Sequence, residues 1–109
     1  MTTSSYTVAK GAGVQKGVLT ACRILANPTR HNILSLLVAA RSEKKELCVN
    51  EIGGAIGASQ SATSHQLALL EAYGVVEGVR MGQTTCYDLT NAPLTKTIEK
   101  IIRIFQSKP

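Results

Sequence analysis

A mainly α fold carrying one small β-hairpin is what this sequence predicts, in the order α-α-α-(turn)-α-β-β-α. Two observations carry the prediction. Apolar residues recur at spacings of three and four through five segments, and only residues 75–89 switch to β-branched residues and alternation. Aromatic residues make up 4% of the 109 residues and Trp is absent, so the core is aliphatic. The length suits one domain with one core. With 44% hydrophobic and 17% charged residues, disorder throughout is excluded.

Residues 1–13 are rich in Ser, Thr, Gly and Ala without periodicity and read as a flexible arm. The domain proper spans 14–107. Val14, Val18, Cys22 and Leu25 form one face of a first helix. Asn27-Pro28 then opens a second, with Asn as cap and Pro in the first turn. This helix runs to about Ala40. Ile33, Leu36, Leu37 and Ala40 line one face, and Leu34 and Val38 widen it, as in a central buried helix. Arg41–Lys45 is a charged loop. Leu47–Gly57 reads as a short third helix with Val49, Ile52 and Ile56 inward, a capping-box layout at Cys48-Val-Asn-Glu51, and a left-handed stop at Gly57. A tight turn leads to Ser59, which can cap a fourth helix from Gln60 to Tyr73. Ala62, Leu67, Leu70 and Tyr73 are its apolar positions and Gly74 its stop. Val75–Leu89 forms the hairpin, turning at Met81-Gly82-Gln83-Thr84. Pro93 opens a last helix with the stripe Leu94, Ile98, Ile101, Ile102 and Phe105.

Several functions are excluded. No apolar run reaches the roughly 18 residues of a membrane span. The start, MTTSSYTVAKGAG, has no apolar stretch of a secretory leader. Three cysteines, Cys22, Cys48 and Cys86, form an odd set at wide spacings, unlike a disulfide framework. Together these features point to the reducing cytoplasm. Two histidines, one aspartate and no phosphate-binding loop leave no catalytic set, so an enzyme is not expected. The net charge of +5 invites nucleic acid, membrane or acidic partners without choosing among them. No membrane partner is expected.

A short helix, a tight turn and a second helix form a DNA-binding unit, and a hairpin directly after it makes the winged version. The residues then become specific. Leu25-Ala-Asn-Pro-Thr-Arg30, Glu46-Leu-Cys-Val-Asn-Glu-Ile52, Ser64-His65-x-Leu67, Ala72-Tyr-Gly-Val-Val76, Arg80-x-Gly82 and Tyr87-x-Leu89 occur in that order. This set resembles the ArsR/SmtB family of bacterial winged helix-turn-helix repressors, over about residues 18–106. The resemblance implies a homodimer that binds a palindromic operator on double-stranded DNA and leaves it when an inducer binds.

In that reading the fourth helix enters the major groove by its N-terminal part. Ser59, Gln60, Ser61, Thr63, Ser64 and His65 are its candidate contacts, with Ser59 equally suited to capping alone. Arg80 and Gln83 on the wing suit backbone or minor-groove contact. Between Glu46 and Val79 there are four glutamates and no Lys or Arg. Phosphate neutralisation, which dominates affinity, must then come from Lys10, Lys16, Arg41, Lys44, Lys45 and Arg80. This acidic stretch keeps a second reading open, a winged-helix protein-interaction module without DNA binding.

The resemblance also implies a dimer interface from the first and last helices, here Val14, Val18, Leu94, Ile98, Ile101, Ile102 and Phe105. The family's thiolate metal motif resembles ELCVCDL. This chain keeps Cys48 but has Asn50 at the second cysteine, a poor ligand for a soft ion. The family's other metal site, on the last helix, needs His and carboxylates, and residues 92–107 offer only Glu99. A metal or metalloid ion therefore stands beside a thiol redox or electrophile sensor, and beside an organic effector, a protein partner or no effector. Cys48 sits at a helix start, Cys86 faces outward on its strand, and Cys22 lies on an apolar stripe as a core residue.

Overall fold

A computed structural model describes the backbone of residues 12–106 and the side chains from Gly17 onward. The described elements are α1 (Ala12–Leu25), α2 (Pro28–Ser42), β1 (Leu47–Cys48), α3 (Val49–Ile56), α4 (Gln60–Ala72), β2 (Val76–Met81), β3 (Thr84–Leu89) and α5 (Pro93–Gln106). Most of the arm predicted at 1–13, with Lys10, lies outside the described residues, although helix α1 already includes Ala12 and Gly13. The side chains of Val14 and Lys16 lie outside them too.

Helix α2 sits at the centre because it is apolar on most of its circumference. Ile33, Leu34, Leu37 and Val38 are buried there, and they join Ile24, Ile52, Leu67, Leu70, Val75, Leu89, Ile98 and Ile102 in one core. Its start is set locally: Asn27 Oδ1 accepts the Arg30 N–H at 3.0 Å, with Pro28 in the first turn. The chain after α2 turns through Lys44, which adopts a left-handed φ of 58°.

The sheet has one more strand than the sequence predicts. Leu47 and Cys48, read as the start of the third helix, are extended and pair antiparallel with β3, Leu47 opposite Tyr87 and Cys48 opposite Cys86. The strand order is β1-β3-β2. Two residues are too short for a period-two pattern, so nothing local marks them as a strand. Helix α3 starts one residue after the cap, where the Cys48 N–H donates to Glu51 Oε1 at 2.9 Å.

Helix α1 corrects a second expectation. Its buried residues are Ala21 and Ile24, while Val18 and Cys22 are exposed. Cys22 is therefore not a core residue. The helix has apolar side chains on both faces, and periodicity cannot say which one meets the core. A hydroxyl chain then ties α4 to α5: Thr90 Oγ1 donates to the Gly74 carbonyl at 2.6 Å and lies 2.6 Å from Oγ1 of the buried Thr95.

Candidate nucleic-acid interface

Helices α3 and α4 meet through a turn with little room for side chains. Gly57 ends α3 at φ 71°, a left-handed conformation that glycine adopts without steric cost. Ser59 then caps α4, its Oγ accepting the Ala62 N–H at 3.1 Å. The helices approach closely at Gly53, where a Cβ would lie 3.0 Å from Thr63 Oγ1 and 3.1 Å from the Ala58 carbonyl.

This crossing decides which α4 residues can reach a partner. Thr63 is fully buried, and its hydroxyl donates to the Ser59 carbonyl at 2.8 Å. It is withdrawn from the candidate DNA contacts, since it lies on the buried side of α4 with Leu67 and Leu70. Ser59, Gln60, Ser61 and His65 are exposed, and Ser64 is half-buried. Ala62, expected inward, is exposed, as are Tyr73 and Ala68. The outward face of α4 is thus Ser61, Ala62, His65, Ala68 and Leu69. Ala62 and Ala68 are small apolar groups suited to a thymine methyl. The i, i+4, i+7 series Ser61, His65 and Ala68 is the signal for Ala68, and Ala62 lies beside it at three residues before His65.

The wing is a two-residue turn, Gly82–Gln83, between β2 and β3, with Gly82 at φ 66°. Arg80 and Gln83 are exposed beside it, and the Arg80 Nε–H donates to the Gly82 carbonyl at 3.1 Å. Within the wing, the Tyr87 ring covers Gly78, its register partner. Burial, and then the negative charge of Glu71, hold the Tyr87 hydroxyl above its ordinary pKa of 10.0.

Glu46, Glu51, Glu71 and Glu77 are all exposed, so residues 46–79 present negative charge. Lys44 and Lys45 are exposed and available to phosphates. Arg41 is not: its guanidinium donates to the Thr90 carbonyl at 3.2 Å and to Asn91 Oδ1, and faces Glu99 at 3.9 Å. It anchors α2 to the segment between β3 and α5 and to α5 itself.

The expected dimer residues divide. Ile98 and Ile102 are buried within this chain's own core, and Leu94 and Ile101 pack against it. A helix packed this way spends those residues on its own fold, so Ile98 and Ile102 are removed from the interface set. Phe105 is 84% exposed and Val18 44%, joined by Leu19 at 61% and Ile104 at 69%, two residues outside the predicted set.

Two cysteines are brought together. Cys48 and Cys86 are joined by a disulfide across β1 and β3, against the expectation of no disulfide. Alternation puts Cys86 on the face opposite Tyr87 and Leu89, yet it is only 1% exposed. The unpredicted strand β1 pairs beside that position and carries Cys48, to which Cys86 is bonded. Among the described residues, no three of His, Cys, Asp and Glu gather where they could hold a metal ion. The third-helix motif does not fit one: Cys48 is bonded to Cys86, and Asn50 is exposed.

The family model described as "Bacterial regulatory protein, arsR family" matches residues 27–77. The HTH-type transcriptional regulator NmtR of Mycobacterium tuberculosis is 32% identical over 85 residues, 78% of this chain and 67% of that protein. The structure of reduced HlyU from Vibrio cholerae superposes with a TM-score of 0.68 at 31% identity, covering 90% of this chain and 95% of that one. The homodimeric winged helix-turn-helix DNA-binding domain of Mb0332 from Mycobacterium bovis gives a TM-score of 0.65 at 25% identity, covering 92% and 84%.

Proposed function

The chain belongs to the arsR family of bacterial regulatory proteins, and from that membership we propose that it is a homodimeric repressor. It binds a palindromic operator and leaves it when an inducer acts. The observation that carries the reading is the division of α4: Thr63, Leu67 and Leu70 are buried, while Gln60, Ser61 and His65 stand exposed beside a wing bearing Arg80 and Gln83. An uncharged polar helix reads base edges, and Arg80, Lys44 and Lys45 hold the phosphate backbone. The homodimer rests on the apolar side chains that α1 and α5 leave exposed, and on the homodimeric domain of Mb0332. Such a regulator works in the cytoplasm.

Selection of duplexes from a random pool by the full chain, followed by footprinting, tests the reading. The expected product has two half-sites about 10 bp apart, centre to centre. The four exposed glutamates around α3 and α4 favour the second reading, a protein-interaction module. Failure to enrich any duplex, at low salt as well as physiological salt, replaces the first reading with the second.

A further inference from the structure

The register of β1 and β3 sets Cys48 opposite Cys86, and their bond joins two parts of the molecule that face DNA in the proposed function. Cys48 is the cap of α3, the helix that backs α4 through Gly53 and Thr63. Cys86 lies on the central strand β3, with Val79 of the wing strand β2 on its other side. Without the bond, β1 holds to β3 by two residue pairs alone. The two cysteines also differ in exposure: Cys48 is half-buried and Cys86 is 1% exposed. A disulfide inside a thiol-reducing compartment is seldom a permanent staple and is more often transient and redox-sensing.

We propose that Cys48 and Cys86 form a reversible dithiol–disulfide switch, oxidised by hydroperoxides, that fixes the wing to the α3–α4 unit and raises operator affinity. The proposal rests on the DNA-binding reading above. Cys48, the more exposed of the two residues, reacts as its thiolate with one peroxide oxygen. The O–O bond breaks, the departing oxygen takes up a proton, and Cys48 becomes a sulfenic acid. The Cys86 sulfur then attacks the Cys48 sulfur. The S–O bond breaks and hydroxide leaves with the Cys86 proton as water. Two thiols lose two electrons and two protons, and with hydrogen peroxide as oxidant two waters form. A thiol reductant reverses the step through a mixed disulfide. Burial of Cys86 keeps bulk oxidant away from the second sulfur. A wing already oriented loses less freedom on docking, so the oxidised form binds more tightly.

The test uses the full chain carrying Cys22→Ser, which removes the exposed third thiol as a cross-linking partner. Reduced protein receives one equivalent of hydrogen peroxide, is quenched in acid, unfolded, alkylated and weighed. In parallel, binding to a duplex selected by the oxidised protein is followed by fluorescence anisotropy. The expected results are a loss of two hydrogens with neither Cys48 nor Cys86 alkylated, and affinity about tenfold higher, within the usual range of coupling between two sites. Reduction reverses both. An oxygenated Cys48 beside a free Cys86 overturns the switch, and so does a disulfide that changes affinity less than twofold. If the disulfide forms but neither state binds any duplex, the DNA reading fails and takes the affinity claim with it. The alkylation readout needs no substitution at either cysteine, so a poorly folding variant does not obscure it.

Discussion

Single atoms decide several properties here, and glycines show it best. A Cβ on Gly78 would sit 2.8 Å from Tyr87 Cε2 and 3.0 Å from Thr85 Cγ2. The Tyr87 ring is held in the core and cannot swing away, so Gly78→Ala should destabilise by about 1–3 kcal/mol. Gly54 is exposed in α3 with nothing within 4 Å of a Cβ. There the same substitution should stabilise by about 0.5–1 kcal/mol, through helix propensity alone. Urea unfolding of the two variants reads both signs. Tyr87 itself predicts a pH effect. Its folded pKa lies above its ordinary value of 10.0, so the folded state holds the proton more tightly than the unfolded state. That contribution is complete below pH 10 and is lost as pH rises through the folded pKa. Thermal melts from pH 9 to 11 should therefore fall less steeply for Tyr87→Phe than for the parent chain.

The elements differ in how openly they announce themselves. Helices α2, α3, α4 and α5 and the hairpin are legible because caps, glycine stops and periodicity agree: Asn27, Ser59, Gly57 and Gly74 all take the roles their chemistry suggests. Strand β1 is illegible because two residues hold no period, and pairing with β3 is a long-range event. That single omission hides the Cys48–Cys86 pair and the burial of Cys86. Helix α4 is legible as a helix, but its orientation is not. Ser61 and Thr63 look alike in sequence, and only the approach of α3 at Gly53 sends one outward and the other inward. For the wing, one phosphate contact per protomer is expected at Arg80. Arg80→Ala should then lower the slope of log affinity against log salt by about two for a dimer, and weaken all sequences alike. An unchanged slope would remove the wing from the backbone contacts.

At the scale of the whole molecule, the apolar surface left over has most to say. Leu19, Ile104 and Phe105 are more than half exposed, on two helices that pack against each other. Phe105→Glu should dissociate the proposed dimer, at a cost of about 2 kcal/mol or more if this ring is a central anchor. Sedimentation velocity at micromolar concentration should show a monomer for the variant and a dimer for the parent chain. Weakened operator binding should accompany it, since two half-sites need two linked readers. A net charge of +5 sits on a chain whose residues 46–79 carry four exposed glutamates and no basic residue, so the proposed docking draws on cations placed around that segment. Local pattern and composition suffice for the helical class, the order of elements and the family motifs, because caps, turns and periodicity act between near neighbours. Packing alone decides which face of α1 and α4 is buried, that Arg41 is an anchor, and that Cys48 meets Cys86. Each of these depends on residues far apart in the chain, and no local signal records who the distant neighbour is.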